Sequence, residues 1–377
     1  MVRFLAGVFC AALVFVSPSF AQDAPATPND FRTLLSDIGE SDDVVGLAVA
    51  VVRGGDVDYI ETFGVKALGN DEPVDEHTLF RIASLSKGVA ASVVGQLIAE
   101  DKTSLATPVK SFAKDLRLKS AAALNKLTLE HVLSHRTGLP PYAYDNLLEA
   151  NTAPADIRRK YAEVDPICAV GSCYAYQNVA FDTVTGLIEG IDGLTYADAV
   201  SERLFGPLGM TRASTGSDNL KADENWARPH RRRPGQPWRT VPVKEAYYRV
   251  PAAGGVNASI TDMAAWLAAQ MGHREDVLSR ETLALLHAPL VRTPAEIRRL
   301  RRFFGEVEDA QYGLGWRIYR YGGATVISHF GSVDFGYGAQ ITFLPEQDVG
   351  IVILTNSQSK GFAKLLPAFL DEELERR

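Results

Sequence analysis

Apolar residues gather at the two ends of the chain in runs too short for helices, and recur at helical spacing in the long stretch between. Val45–Val52 reads Val-Gly-Leu-Ala-Val-Ala-Val-Val, and Val57–Phe63 follows it across Arg53-Gly54-Gly55-Asp56. Two such runs about a glycine turn predict a strand pair. Towards the other end Thr325–Ser328, Ala339–Leu344 and Val349–Leu354 predict three more strands, the last two joined by Pro345-Glu346-Gln347-Asp348, a short polar connection suited to a hairpin. Helical patterns flank both sets, at Asn29–Ile38 and Phe362–Glu375. From about residue 88 to 310 the chain is mostly helix-like or loop, with helical periodicity in Ser92–Glu100, Leu129–Leu133, Ala180–Ile191 and Thr261–Gln270. This arrangement predicts an α/β fold: an antiparallel sheet built from both chain ends and flanked by helices, with a mainly helical inserted domain and a cleft between the two parts. The sheet part is expected at about 22–87 and 311–377, and the helical part at about 88–310.

The first residues form a different pattern. Arg3 gives a positive start, Phe4–Val16 an apolar stretch and Ser19-Phe20-Ala21 a small-x-small site, so residues 1–21 are expected to be a signal peptide cut before Gln22. No later run approaches the roughly eighteen uncharged apolar residues of a membrane-spanning helix. A periplasmic or secreted chain without a transmembrane segment is therefore expected, its oligomeric state left open. Cys10 would leave with the signal. Cys168 and Cys173 remain, separated by Ala-Val-Gly-Ser. In an oxidising compartment they suggest a local disulfide loop, two reduced buried thiols being the alternative. With 46% hydrophobic and 23% charged residues the composition is that of a globular protein, and a net charge of -7 argues against nucleic acid as a partner. Two arginine clusters, in Ala227–Arg233 and Ile297–Arg302, read as solvated loops and helix faces, or as contacts to an anionic surface.

The chemistry starts from Ser-x-x-Lys, which on a helix sets an amine one turn from a hydroxyl whose proton it can take. Three copies occur: Ser84 with Lys87, Ser111 with Lys114 and Ser357 with Lys360. Only Ser84 opens a segment with apolar residues on two faces, Val89, Val93 and Leu97 and also Ala90, Val94 and Ile98. Burial there disfavours the ammonium form of Lys87 and makes it a base, while a helix start favours developing negative charge. Ser111 and Ser357 read as exposed turns. A partner motif, Tyr-x-Asn, occurs twice, at Tyr144-Asp145-Asn146 and Tyr176-Gln177-Asn178, and the second copy, between the cysteines and a helical segment, is chosen. His135 reads as a structural loop residue. Neither His-Glu-x-x-His nor Cys-x-x-Cys occurs, so spacing supports no metal site, and no cofactor is implied. The absence of Gly-x-Ser-x-Gly argues against an α/β-hydrolase nucleophile elbow.

Phe80-Arg81-Ile82-Ala83-Ser84-Leu85-Ser86-Lys87, Leu133-Ser134-His135-Arg136-Thr137-Gly138-Leu139-Pro140, Tyr176-Gln177-Asn178, Pro207-Leu208-Gly209-Met210 and His329-Phe330-Gly331 together resemble the class C β-lactamase superfamily of serine β-lactamases and penicillin-binding proteins. That superfamily includes D-Ala-D-Ala carboxypeptidases, D-aminopeptidases and esterases. The resemblance implies Ser84 as nucleophile, Lys87 as its base, Tyr176 as a proton shuttle that helps activate the deacylating water, and Asn178 as a holder of Lys87 and of the substrate amide. His329-Phe330-Gly331-Ser332 falls where the family carries Lys-Thr-Gly-Ser on an edge strand, which implies an oxyanion hole from the N–H groups of Ser84 and Ser332. His329 departs from the pattern: a lysine there is permanently charged, whereas a histidine is charged only part of the time near neutral pH. His-x-Gly is common among the esterase and peptidase relatives. Gln177, replacing a small residue, is expected to narrow or repolarise the cleft.

The expected activity is β-lactamase-like hydrolysis of a β-lactam or a related amide or ester through an acyl-enzyme, the substrate being a small molecule or a peptide. An esterase or a D-Ala-D-Ala carboxypeptidase or D-aminopeptidase is the alternative within that chemistry. Outside it stand a penicillin-binding sensor that does not turn over and a wall- or lipid-binding protein that uses its arginine clusters.

Overall fold

The computed structural model describes residues 31–304, 307–333 and 336–376. The export signal expected at residues 1–21, with Cys10, lies outside them. At the centre is a nine-stranded antiparallel sheet whose strands are β1 (Gly46–Arg53), β2 (Asp56–Ala67), β3 (Asn70–Pro73), β4 (Val291–Arg292), β5 (Val307–Tyr312), β6 (Arg317–Tyr321), β7 (Ala324–Val333), β8 (Tyr337–Leu344) and β9 (Val349–Thr355), in the order β3-β2-β1-β9-β8-β7-β6-β5-β4. The chain ends meet in the middle: β1 pairs with β9 from Leu47 against Thr355 to Arg53 against Val349. Alternation decides what each face covers. Ala48, Ala50, Val52, Ile341 and Val352 face the helical part, and Leu47, Val49, Val51, Ile351 and Ile353 face the opposite layer, formed by α1 (Phe31–Gly39) and others. Strands covered on both faces read as apolar runs, as β1 and β9 do.

The helical part is built around α2 (Ser86–Ala99), in which every residue from Ser86 to Gly95 is buried. Apolar side chains on all its faces leave it no stable place except the interior. It packs against α3 (Thr183–Asp192) and beside α4 (Ile260–Gln270), whose first turn is closed by Ser259 and Asp262 in a reciprocal capping box. Beyond the sheet's far face lie α5 (Pro294–Phe304) and α6 (Phe362–Glu375), the latter burying Phe362, Leu365, Leu366, Phe369 and Leu370 on one stripe.

The segment from 88 to 310 carries more strand than its periodicity predicts. Val256–Ala258 pairs with both Phe80–Arg81 and Ser214–Thr215, His230–Arg231 pairs with Arg239–Thr240, and β4 and β5 join the main sheet. These strands are two to six residues long, too short for alternation to show. Likewise β7 runs on past the apolar Thr325–Ser328 through Val333. The β6 pairing stops at Arg317 opposite Ser328, so among the described residues one edge of His329–Val333 has no strand beside it. The edge position implied for His329-Phe330-Gly331-Ser332 is thus local to the second half of an otherwise interior strand.

Candidate active site

Ser84 stands on a tight turn, Ala83–Leu85, that leads into α2. Ala83 is held at φ +50, in the left-handed region that costs a residue with a Cβ, and the surroundings compensate. The Ser86 hydroxyl donates to the Ala83 carbonyl (2.6 Å) and accepts from the Val256 N–H (3.0 Å). Buried Arg81 donates to the carbonyls of Gly254 and Lys244 and lies 3.6 Å above the Tyr248 ring. On the other side β7 presses close: a Cβ on Gly331 would sit 2.3 Å from the Ile82 carbonyl oxygen and 3.1 Å from the Ser84 nitrogen. Only glycine permits that approach.

One helical turn on, the Lys87 amine lies 3.4 Å from Ser84 Oγ, 2.8 Å from Asn178 Oδ1 and 2.8 Å from the Ala253 carbonyl oxygen. Lys87 is wholly buried, and burial pulls its pKa down to about 7 from 10.5; the Arg317 charge pushes the same way, against Asp145 and Asp182. A neutral amine has two N–H donors and one lone pair. Asn178 and Ala253 accept the two donors, which leaves the lone pair for the Ser84 hydroxyl. Asn178 in turn donates through Nδ2 to Asp145 Oδ2 at 2.6 Å. Asp182 lies further behind; burial raises its pKa to about 7, and its Oδ1 accepts from the Thr185 hydroxyl and the Ala252 N–H.

Tyr176 covers this group. Its ring centroid is 4.7 Å from the Lys87 amine, and it borders the same cavity as Ser84. Burial raises the phenol pKa to about 12, the Arg317 charge and the nearby Ser84 hydroxyl opposing it. Behind the ring runs a buried chain of polar contacts. The Gln177 N–H donates to His135 Nδ1 (3.1 Å), His135 Nε2 meets the Tyr312 hydroxyl (3.2 Å), that hydroxyl meets His329 Nε2 (3.2 Å), and His329 Nδ1 lies 3.1 Å from the Phe330 carbonyl. The ends fix the tautomers: His135 carries its proton on Nε2 and His329 on Nδ1, both rings neutral. Burial, reinforced by nearby positive charge, holds both well below the ordinary histidine range. Arg317 also reaches His329 Nε2 (3.2 Å) and lies 3.5 Å from Glu296.

These groups border a cavity of ≈ 210 Å³, lined by Ser84, Asn178, Asp145 and Arg317 together with Tyr142 and Tyr247. Over residues 31–374 the chain matches the family model described as Beta-lactamase. The chain belongs to the Beta-lactamase family. It is 25% identical to the beta-lactamase of Escherichia coli over 94% of this chain and 96% of that one. Similarity of 26% extends over 92% of it to the unguisins hydrolase ungD' of Aspergillus campestris, of which it spans 65% of the length. It is 30% identical to esterase EstB of Burkholderia gladioli over 44% of this chain and 46% of that one. In fold it resembles the octameric penicillin-binding protein homologue of Pyrococcus abyssi, with a TM-score of 0.78, 24% identity, and coverage of 91% of this chain and 77% of that one.

Of the residues picked out by family likeness, Ser84, Lys87, Tyr176 and Asn178 converge, and Gly331 and Ser332 lie alongside. Two expectations are corrected. His329 offers no part-time charge to a ligand: it is 1% exposed, neutral, and occupied by Tyr312 and Arg317. Gln177 does not enter the cleft; its amide turns back to donate to the Pro140 carbonyl at 2.6 Å. Among the rejected serines Ser111 is exposed as expected, but Ser357 is buried, its hydroxyl accepting from the Val45 N–H at 2.8 Å because it caps the start of β1.

Asp145, Arg317 and the Ala253 carbonyl escaped the sequence reading. Asp145 belongs to the Tyr-x-Asn copy that was set aside. Cys168 and Cys173 are joined in a disulfide, with Cα atoms 6.2 Å apart. Their loop is tied to the Ser134–Pro140 turn by Ile167 N–H to Gly138, Gly171 N–H to Arg136 and Ala175 N–H to His135 carbonyl bonds, which carry the chain directly into Tyr176. The arginine cluster at 227–233 is partly engaged, Arg228 over Trp226 and Arg232 over Trp238. Among the described residues no cluster of His, Cys, Asp or Glu could hold a metal ion, and no helix is long and apolar enough to cross a membrane.

Proposed function

We propose that this chain is an exported serine hydrolase that works through an acyl-enzyme on Ser84, with β-lactamase-like hydrolysis of a β-lactam or a related ester or amide as its reaction. The observation that carries the reading is the Lys87 amine, poised near neutrality with both donors accepted and its lone pair turned to Ser84. Ser84 Oγ attacks the carbonyl carbon while its proton passes to Lys87. The N–H groups of Ser84 and Ser332 receive the oxyanion, preorganised donors of this kind contributing about 3 kcal/mol each. Collapse of the tetrahedral species breaks the bond to the leaving group, which takes a proton through Tyr176. A water, deprotonated by Tyr176 with Lys87 behind it, then attacks the acyl-enzyme and frees the acid and Ser84.

With His329 neutral, Arg317 is the permanent positive charge nearest the cleft, so an ester or amide bearing an anionic group is accommodated on that wall. Export is supported by the residue 1–21 pattern and by the disulfide. The test is a panel of a chromogenic cephalosporin, a carbapenem, short p-nitrophenyl esters and a D-Ala-D-Ala peptide, with wild type and Ser84→Ala. At least one substrate is expected to be turned over and to lose about a thousandfold or more in the variant. Activity undiminished in Ser84→Ala would overturn the mechanism, and a stable Ser84 adduct without turnover would replace the hydrolase by a sensor.

A further inference from the structure

Six basic residues and no acidic one lie between Arg228 and Lys244, in a chain whose net charge is -7. They surround a hairpin in which His230–Arg231 pairs with Arg239–Thr240. Its inner face is fixed. His230 is buried, its N–H donating to the Asn356 carbonyl (2.7 Å) and its Nε2 accepting from the Leu68 N–H (3.1 Å). Arg232 pairs with Asp43 and lies 4.5 Å from the Trp238 ring centroid, while Trp238 Nε1 donates to the Asp42 carbonyl (3.2 Å). At the tip the Gln236 N–H donates to the Arg233 carbonyl (2.9 Å) with Gly235 at φ +72, the turn that Pro234-Gly235 favours. The outer face is left unbalanced. Arg231 and Arg239 are direct cross-strand partners. Residues so placed have Cβ atoms about 5 Å apart, and like charges there repel. Both are exposed, as is Arg233, and among the described residues none of the three is paired with a carboxylate.

From this we infer that the outer face of the hairpin docks the chain on an anionic lipid bilayer, with a headgroup phosphate between Arg231 and Arg239. An oxyanion there replaces the repulsion of the pair by two charge-assisted contacts. The arginines are spread along an exposed hairpin, which suits a flat field of phosphates better than one enclosed ion. Leu68, whose N–H His230 holds, is 45% exposed and supplies an apolar contact beside them. A nucleic acid would call for an open stacking platform, whereas Trp226 is buried and Trp238 lies under Arg232. The segment is rooted beside the cleft. The Tyr337 hydroxyl donates to the Ala227 carbonyl (2.6 Å) at one end, and Arg81, in the approach to Ser84, donates to the Lys244 carbonyl (2.8 Å) at the other. Docking by this face needs neither Ser84 nor the chemistry proposed for it.

Sedimentation with vesicles of phosphatidylcholine containing about 30% phosphatidylglycerol tests the inference. Retention on pure phosphatidylcholine measures what the apolar stretch Phe4–Val16, common to every variant, contributes. Wild type is expected to partition at least about tenfold more strongly onto the anionic vesicles, and to lose that preference in about 0.5 M NaCl. Each arginine near such a surface contributes a factor of about five, so Arg231→Gln with Arg239→Gln should weaken partitioning about thirtyfold. Lys114→Gln with Lys126→Gln, the same change of charge at exposed positions elsewhere, should stay within about twofold of wild type, and Ser84→Ala should bind as wild type does. The Tm of the arginine double variant is expected to equal or exceed that of wild type, since a repulsive pair is gone. Arg233→Gln, outside the paired strands, gives a second reading, a loss of about fivefold. No preference of wild type for the anionic vesicles, or equal losses in the arginine and lysine double variants, overturns the inference. So does release by inorganic phosphate beyond that caused by NaCl of the same ionic strength, which would mark a site for a free ion. Binding of a single-stranded DNA oligonucleotide as tight as that of the vesicles would overturn it too, replacing the bilayer by a general polyanion.

Discussion

The two walls of the cleft solve opposite problems. On the helical wall Lys87 is deprived of water and surrounded by acceptors, Asn178 Oδ1 and the Ala253 carbonyl, with carboxylates Asp145 and Asp182 behind. On the strand wall Arg317 keeps its charge, paired with Glu296 and set among rings, the neutral His329 and the faces of Tyr176 and Tyr312. One cation is arranged to lose its proton and the other never to do so. Lysine and arginine are not interchangeable for this reason: burial tunes an ammonium into a base, whereas a guanidinium stays protonated throughout.

The largest test of this contrast removes the titrating member. Lys87→Met is expected to lower kcat/KM by about a thousandfold or more with the fold intact. It also has a stability signature. The folded Lys87 pKa, about 7, lies below its ordinary 10.5, so the unfolded chain binds the proton more tightly between those values. Wild-type stability from this group therefore rises as pH climbs from about 7 towards 10, and its cost is full below 7. Thermal melts from pH 6 to 10 should show the Tm advantage of Lys87→Met over wild type shrinking as pH rises; a constant difference would mean that the lysine is charged when folded.

Next in size is the contact that brings the walls together. Gly331→Ala places a methyl against the Ile82 carbonyl, so β7 or the Ser84 turn must shift; kcat/KM is expected to fall about a hundredfold, with a measurable drop in Tm. Smaller and more diagnostic is a pair of opposite shifts. Arg317→Leu removes a charge that depresses the Lys87 pKa, so the acid limb of the kcat/KM profile should move to higher pH. Asp145→Asn removes a charge that raises it, and the limb should move to lower pH. Shifts in the same direction would show that the two walls are not electrostatically opposed. The least effect is expected from Cys168→Ala with Cys173→Ala: the closed loop is short, so calorimetry should show a loss of a few degrees in Tm, and activity should fall less than about threefold.

What could be read in advance follows from what is local in the chain. Ser84 and Lys87 sit one turn apart on a helix whose burial is written in its own apolar positions, and β1 and β9 are almost wholly apolar runs. The remainder depends on distant segments meeting. Ala253 acts through its carbonyl, which no side-chain pattern reveals. Asp145 lay in a motif copy discounted as loop, yet its backbone turn delivers a carboxylate to the copy that was preferred. Strand β5 reads Val-Glu-Asp-Ala-Gln-Tyr and is polar because its outer residues meet solvent, and only pairing with β6 makes it a strand. His329 was legible as a departure from lysine, but its neutrality was not, since it comes from burial, with Arg317 of β6 and Lys87 of α2 pushing the same way.

The meeting of β1 with β9 also sets a timetable. A ribosome delivers Ser84 and Lys87 early, but the strand that carries Gly331 and Ser332, and the pairing of Leu47 with Thr355, require more than two hundred further residues. Contacts so far apart in sequence form late and slowly. A nascent chain therefore holds Ser84 and Lys87 without the wall beside them until the residues of β7 to β9 have been made.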